Sequence, residues 1–271
     1  MRWVGAVELL RTERRAGVLV TVVGTRGHAP REAGAKMVVA ADATWGSVGG
    51  GNLEATAVSR ARTLLESPQA GPEELTLGLN DRARTDHGRQ CCGGEVTLLL
   101  EPLPVVPAVA IFGIGHVGLE LARILARHDL DLHLVDSRAD MLAGARLVCL
   151  DDAEARVVVH HSPVPELALG SVPAGTHVLV MTHDHAEDFA VCDAALRCGH
   201  LASIGLIGST AKWTRFRSGL RVEGHDEEVV ARIQCPVGDA SLGDGAPPSI
   251  ALGIAEALVR RFAADRARAG T

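Results

Sequence analysis

The sequence predicts an α/β protein in which an N-terminal α+β domain precedes a Rossmann-like domain with a doubly wound parallel sheet. Three observations predict it. Strand and helix patterns alternate over the second half of the chain. A glycine-rich turn, residues 113–118, lies between a predicted strand and a predicted helix. A proline-rich stretch, residues 102–107, separates the two regions, so we assign residues 1–104 to the first domain and 105–271 to the second.

Composition restricts the class of protein. The chain has 271 residues, of which 47% are apolar and 22% charged, as expected for a globular protein with a proper core. The net charge of −6 and the lack of a basic stripe argue against a nucleic-acid partner. Neither a signal peptide nor an apolar run long enough for a membrane is visible, so we expect cytoplasmic residence. The six cysteines are irregularly spaced, which predicts reduced thiols.

The first domain begins with a helix and three strands. Apolar residues at helical spacing predict a helix within residues 1–15, and a β-branched run predicts a strand at 18–23. Residues 36–41 and 45–48 predict the next two strands. The loop before residue 36 is cationic, which is typical of a solvated turn but also suits an anion. Its basic side chains, with the first residue of the next strand, are Arg26, His28, Arg31 and Lys36.

A second glycine-rich turn leads into the next helix. Gly49, Gly50 and Gly51 precede a helical pattern that runs from residue 52 to residue 65. The exposed N–H groups of such a turn can hold a phosphate. Equally, the glycines can form a tight strand-to-helix turn in which Glu54 favours the positive end of the helix. Both interpretations stand on these residues.

Two adjacent cysteines lie in a polar loop between predicted strands at 73–79 and 95–101. Cys91 and Cys92 are followed by two glycines, which is hard to explain as core packing. Accessible thiolates there could bind a soft metal or carry sulfur. The alternative is that two small residues shape a tight turn. Cys149, by contrast, lies in the apolar run 146–150, which predicts a buried strand.

The turn at 113–118 has the spacing of a dinucleotide-binding fingerprint. Gly113 permits a tight turn, Gly115 lets the backbone approach a ligand, and Gly118 allows close packing of helix and strand. The next predicted strand, residues 131–136, closes with Asp136. That acid lies about 20 residues after the glycines, where a carboxylate accepts from a ribose hydroxyl.

The remaining elements continue the alternation. We predict strands at 146–150, 177–181 and 201–207, and we assign His160 and His161 to a polar loop. Helices are predicted at 139–145, 186–196, 226–233, after Ser209, and from residue 247 onward.

Polar residues follow two of these strands at the sheet edge where α/β folds bind ligands. His183 and His185, with Asp184 between them, could be metal ligands or acid–base groups. Asp184 can also cap the next helix, and we favour a ligand-facing capping loop. Gly208 and Ser209 follow the next strand, with Ser209 placed as a helix cap.

Six motifs, taken together and in order, closely resemble those of the xanthine dehydrogenase accessory protein family, XdhC/CoxI, and in particular its XdhC branch. The resemblance covers nearly the whole chain. The motifs are Gly-Ser-Val-Gly-Gly-Gly-Asn-Leu-Glu (46–54), Gln-Cys-Cys-Gly-Gly (90–94), the glycines of 113–118, Thr-His-Asp-His-Ala (182–186), Ile-Gly-Leu-Ile-Gly-Ser (204–209) and Cys-Pro-Val-Gly (235–238).

The resemblance implies a molybdenum-cofactor chaperone, which favours a maturation factor over an enzyme. Such proteins bind the molybdopterin cofactor, support its sulfuration with a cysteine desulfurase and insertion into xanthine dehydrogenase, and self-associate, here expected as a homodimer. In that role Glu54 would accept from the pterin, and Cys91 or Cys92 would contact molybdenum. The other candidate cofactor-binding residues are Gly49, Gly50, Gly51, Gly113, Gly115, Gly118, Asp136, His183, His185, Gly208 and Ser209.

An NAD-dependent oxidoreductase is the alternative. It rests on the glycines of 113–118 and on Asp136, since a ribose-selecting acid has no target on a molybdopterin without a nucleotide. The sequence shows no convincing partner set for hydride transfer, although His183 or His185 could serve as an acid–base group.

Overall fold

The computed structural model describes residues 1–67, 71–79, 93–239 and 245–268, with side chains as far as residue 264. The chain divides into two compact units. One comprises Met1–Val105 together with Ala263–Thr271, and the other comprises Val106–Phe262.

The first unit is built on a five-stranded antiparallel sheet in the order β3-β2-β1-β5-β4. Alternate residues of its strands face opposite sides. Met37 and Val39 belong to the core under helix α2, whereas Val38 packs against Leu10 of helix α1. The elements are α1 (Trp3–Thr12), β1 (Gly17–Arg26), β2 (Lys36–Val39), β3 (Thr44–Gly46), α2 (Gly51–Leu65), β4 (Glu73–Gly78) and β5 (Glu95–Leu103).

The second unit contains a six-stranded sheet in which all the strands are parallel, in the order β11-β10-β9-β6-β7-β8. This is the order of a doubly wound Rossmann sheet, so the predicted fold class is confirmed. The elements are β6 (Ala108–Phe112), α3 (His116–Leu125), β7 (Asp131–Asp136), α4 (Gly144–Leu147), β8 (Arg156–His161), β9 (Thr176–Val180), α5 (His185–Arg197), β10 (Ser203–Leu206), α6 (Thr210–Val222), α7 (Glu227–Val230), β11 (Ile233–Gln234) and α8 (Pro247–Arg268).

Strand β6 lies at the centre of this sheet and is buried along its whole length. Val109 and Ile111 belong to the core that contains residues of α3 and α8, and Ala110 and Phe112 to the core that contains residues of α5 and α6. A strand covered on both faces has no position for a polar side chain, which explains the continuous apolar run. Its carboxyl end therefore starts the glycine-rich turn from a rigid support.

Three predicted elements differ in the structure. Residues 146–150 do not form a strand, because this run continues α4 into a short 3-10 helix, Val148–Leu150, with Val148 exposed and Cys149 half-buried. The strand lies further on, as β8, and includes His160 and His161. As the last strand of the sheet, β8 is exposed or half-buried along its length, and its apolar run is only three valines, Val157–Val159, followed directly by the two histidines. The predicted helix at 226–233 ends at Val230, since Ile233 pairs with β10.

Two histidines that the sequence did not connect meet between β7 and β8. The rings of His133 and His160 stack with centroids 5.2 Å apart, and His133 Nδ1 lies 2.9 Å from His160 Nε2. One nitrogen must donate and the other accept, so the contact requires the neutral form of at least one ring. Burial lowers the pKa of His160 below its ordinary value of 6.5.

We expect this pair to make stability depend on pH. The unfolded chain binds a proton at His160 near pH 6.5 and the folded chain resists it, so the free energy of unfolding should fall as pH decreases below 6.5. One proton limits the slope to about 1.4 kcal/mol per pH unit. Urea titrations between pH 7.5 and 5 would show the slope reduced in His160→Gln and retained in His128→Gln at an exposed position. Equal slopes in both variants would contradict the expectation.

Candidate functional site

The glycines of the turn between β6 and α3 have different surroundings. Gly113 adopts φ +102°, and a Cβ there would overlap the carbonyl oxygen of Met181. A Cβ on Gly118 would overlap the carbonyl oxygen of Gly113. Gly115 has φ −73°, and a Cβ there would meet no atom of the described residues within 4 Å. Two of the glycines therefore maintain the turn, and Gly115 borders open space.

That open space is a cleft of about 490 Å³. It lies where the loops after β6 and β9 separate to opposite faces of the sheet, the point at which doubly wound folds bind ligands. Its described lining includes two arginines and two histidines but no carboxylate. The residues are Gly115, His116, Val117, Gly118, Arg138, Met141, Arg146, Met181, Thr182, His183, Ile207 and Pro247.

Asp136 ends β7 beside this cleft, but its carboxylate is committed to the protein. Oδ2 accepts from the N–H of Ile114 at 2.7 Å and from an Arg138 terminal nitrogen at 3.0 Å. Oδ1 accepts from the backbone N–H of Arg138 at 3.0 Å and from its Nε at 2.9 Å. Burial opposes ionisation, but these hydrogen bonds outweigh it and hold the pKa of Asp136 below 3.8. Asp136 is therefore an anion that positions Arg138.

Arg146 is the second guanidinium of the cleft. One terminal nitrogen donates to the carbonyl oxygen of Ile114 at 2.9 Å, which ties it to the glycine-rich turn. Its Nε is buried and finds no hydrogen-bond partner within the part of the chain that the structure describes. A buried N–H without an acceptor is costly, so this guanidinium is not fully satisfied by the described residues.

The two histidines predicted as site residues follow β9, His183 in the loop and His185 as the first residue of α5. Asp184 between them caps α5, since its Oδ1 accepts from the N–H of Ala186 at 2.6 Å and of Glu187 at 3.1 Å, which lowers its pKa. His183 lines the cleft and lies 3.6 Å from Glu187, whereas His185 packs edge-on against Phe216. The described residues contain no cluster of three or more His, Cys, Asp or Glu side chains that could hold a metal.

Asp188 and Lys212 form a buried ion pair at the end of the sheet where the cleft lies. The sequence does not predict this pair. Asp188 accepts from the backbone N–H and the hydroxyl of Thr182, both at 2.8 Å, and pairs with Lys212. Lys212 also donates to the carbonyl oxygen of Ile207 at 2.9 Å. The pair therefore positions two residues of the cleft wall.

Gly208 and Ser209 help to position Lys212. Ser209 caps α6 as predicted, accepting from the N–H of Lys212 at 3.2 Å. A Cβ on Gly208 would approach the Lys212 side chain to 2.8 Å and the sulfur of Cys235 to 3.4 Å. Neither residue belongs to the described lining of the cleft.

In the first unit, three loops meet at one end of the antiparallel sheet. A Cβ on Gly49 would lie 2.6 Å from Pro30, so the glycine-rich turn contacts the cationic loop. Glu54 holds this turn, since it accepts from the Ser47 hydroxyl at 2.6 Å and from the N–H of Gly50 at 3.2 Å. The carboxylate predicted to meet the pterin is thus engaged within the loop.

The third loop is the one that follows the two adjacent cysteines. A Cβ on Gly94 would overlap the carbonyl oxygen of His28, so residues 93–94 run directly along the cationic loop. Gly94 is also held by the N–H of Leu79, which donates to its carbonyl oxygen at 2.7 Å. Cys91 and Cys92 themselves lie outside the described residues.

An antiparallel α+β unit joined to a unit with a parallel sheet of Rossmann order and a glycine-rich turn at its switch point defines a two-unit α/β protein with a Rossmann-type fold. Residues 109–257 match the family model described as the XdhC Rossmann domain, and residues 10–77 match that of the XdhC and CoxI family. The chain belongs to the XdhC and CoxI family.

Three individual proteins are similar to this chain at 26% sequence identity or less. The uncharacterized protein YqeB of Escherichia coli is 26% identical over 237 residues, which cover 87% of this chain but only 42% of that protein. A Bacillus halodurans structure described as a xanthine dehydrogenase covers 100% of this chain and 98% of its own, with 18% identity and a TM-score of 0.49. The Escherichia coli tRNA N6-threonylcarbamoyladenosine dehydratase TcdA matches 60% of this chain and 88% of its own, with 15% identity and a TM-score of 0.42.

The described helices give no indication of a membrane segment, since none combines the length and the apolar character that crossing requires.

Proposed function

We propose that this protein is a non-catalytic maturation factor that holds the molybdenum cofactor and supports its sulfuration and insertion into xanthine dehydrogenase. The observation that carries the proposal is the meeting of three loops in the first unit of a member of the XdhC and CoxI family. A cysteine desulfurase as sulfur donor, a homodimer and a cytoplasmic location belong to the same proposal and rest on the resemblance alone.

The chemistry of the three loops suits an anionic pterin that carries a soft metal. Gly50 and Gly51 present the N-terminus of α2, a helix of 15 residues, where N–H groups favour a phosphate. His28 and Arg31 are exposed in the adjacent loop and supply further positive charge, and Arg26, at the end of β1, is exposed 3.7 Å from Glu95. The chain that carries Cys91 and Cys92 joins this group at residues 93–94, and thiolates are soft ligands for a molybdenum–sulfur centre.

The structure changes the role that we propose for Glu54. Because its carboxylate already accepts from Ser47 and Gly50, we assign it to holding the glycine-rich turn and not to the pterin. A turn held in this way keeps its N–H groups in place before a ligand arrives, which lowers the entropic cost of binding.

The NAD-dependent oxidoreductase is less well supported. The carboxylate of Asp136 is only 2% exposed and accepts four hydrogen bonds from the protein, so it has no free position for a ribose hydroxyl. The described lining supplies two imidazoles for acid–base work, His116 and His183, and the Glu187 carboxylate that faces His183 lies at 3.6 Å, beyond hydrogen-bond distance.

Replacing both Cys91 and Cys92 by serine should remove most of the molybdenum cofactor that co-purifies with the protein. Serine nearly retains the shape of cysteine but removes the soft sulfur ligand. The measurement is molybdenum and pterin per protomer after co-expression with the cofactor pathway, together with activation of an apo-xanthine dehydrogenase. Cys198→Ser, at a half-buried position in the second unit, is the control and should match the parent.

If the double serine variant retains as much cofactor as the parent and activates equally well, the thiols have no role and the proposed site is wrong. Loss of cofactor with an unchanged unfolding transition would support the proposal, since a merely structural role for the turn would lower stability as well.

A further inference from the structure

We propose that the cleft of the second unit is a separate ligand site, and that it recognises a phosphate monoester on a flat heterocyclic ligand through Arg138. The inference goes beyond the proposed maturation function, because it concerns the other unit and different residues. It replaces the ribose recognition that the sequence predicts for Asp136.

The protein itself fills the hydrogen-bond acceptor positions of the Asp136 carboxylate. An ionised carboxylate has about four acceptor positions. Three of the hydrogen bonds to Asp136 come from Arg138 and the fourth from Ile114 in the glycine-rich turn. A ribose hydroxyl could reach this carboxylate only by displacing Arg138, which would forfeit charge-assisted hydrogen bonds. The acid therefore fixes the guanidinium to the turn.

Arg138 is held in place at the wall of the cleft and keeps N–H donors for a ligand. Its pairing with Asp136 uses two of the five N–H donors of a guanidinium, and the side chain remains 29% exposed at the wall of the cleft. A guanidinium whose orientation is already set loses little entropy when it binds a phosphate in a bidentate manner. In dinucleotide folds, an arginine near the position of the ribose-binding acid accommodates the 2′-phosphate that distinguishes NADP from NAD.

The charged groups around Arg138 determine the sign of the charge that a ligand would meet. Asp140 and Glu187 are the acidic groups near Arg138 besides Asp136. Asp140 is exposed, and Glu187 accepts from the Ser137 hydroxyl at 2.6 Å and lies 3.6 Å from His183. None of the three lines the cleft, whereas Arg146 does, with its buried Nε lacking an acceptor. The wall that a ligand would meet is therefore cationic.

The apolar part of the cleft wall indicates the chemistry of the rest of the ligand. Val117, Met141, Met181, Ile207 and Pro247 form an apolar part of the wall, which suits the face of a flat ring. The cleft of about 490 Å³ lies in the range of small-molecule sites. A phosphorylated nucleotide and a phosphorylated pterin share this chemistry, and the experiment distinguishes them.

The experiment measures binding of three probes to the full chain by calorimetry: NADP⁺, NAD⁺ and molybdopterin. We expect NADP⁺ to bind at least tenfold more tightly than NAD⁺ if the ligand is a nucleotide, or molybdopterin alone to bind if it is a pterin. In either case Arg138→Gln should weaken binding at least tenfold. Arg127→Gln, which removes a surface partner of Asp152, is the matched control and should bind like the parent.

A second variant separates this site from that of the first unit. Gly115→Val places a side chain in the open space of the cleft without backbone strain, and should abolish binding there. Gly199→Val, also at an open position, should not. Molybdopterin binding that survives Gly115→Val but is lost with the double serine variant belongs to the first unit and counts against this site.

Three results would overturn the inference: NAD⁺ binding as tightly as NADP⁺, binding that is unaffected by Arg138→Gln, or failure of all three probes to bind. The last of these would leave the maturation function intact, since that function is tested by cofactor retention in the Cys91 and Cys92 variants.

Discussion

Gly118→Ala should destabilise the second unit by about 2 kcal/mol, although alanine is the better helix former. In a helix interior, alanine is favoured over glycine by about 0.5–1 kcal/mol. The new Cβ would, however, overlap the carbonyl oxygen of Gly113, and both partners of that contact belong to backbone. Overpacking a rigid contact typically costs about 1–3 kcal/mol and sometimes more. The steric term therefore exceeds the helix propensity.

Gly115→Ala is the matched control in the same turn. Its Cβ meets nothing within 4 Å, and φ −73° is ordinary for alanine, so only the preference of the N-cap position opposes it. That preference is worth about 1 kcal/mol or less. Guanidinium titrations give the free energy of unfolding of both variants. If the two lose equal stability, close approach of helix and strand at Gly118 is not what the turn requires.

Lys212→Met should cost about 3–5 kcal/mol, because it leaves the carboxylate of Asp188 buried without its cation. The side chains of Asp188 and Lys212 are only 2% and 11% exposed, so water cannot replace the lost partner. Thr182 and Ile207, which the pair holds, should also lose order at the cleft. Urea titration measures the loss, and hydrogen exchange at Thr182 measures the local opening.

The double variant Asp188→Leu with Lys212→Met tests the reason for this loss. Replacing both charges of a buried pair by apolar groups is often close to neutral, so the double variant should recover most of the stability. Arg123→Met is the surface control, since Arg123 and Glu120 are 52% and 32% exposed and such pairs contribute at most about 1 kcal/mol. A double variant as unstable as Lys212→Met would show that the loss comes from side-chain shape and not from charge.

Local patterns were informative wherever burial alone determines the residue types. The continuous apolar run of β6 and the glycines that follow it predicted a central strand and its turn, because these residues are restricted by packing and by backbone geometry. The same patterns failed at the edge of the sheet. There β8 is partly exposed and its apolar run is confined to three valines before two histidines, while the apolar run at 146–150 belongs to a helical turn with a single buried face.

The sequence by itself determined the fold class, the resemblance to the family and the residue types available at each loop, since these depend on periodicity and on motif order along the chain. Only the tertiary structure decided what those residues contact. The sequence predicts that Asp136 accepts from a ribose hydroxyl, but its four hydrogen bonds come from Arg138 and Ile114. Lys212 pairs with Asp188, which lies 24 residues earlier in the chain. A side chain's partner depends on which distant segment packs beside it, and that information is absent from any local pattern.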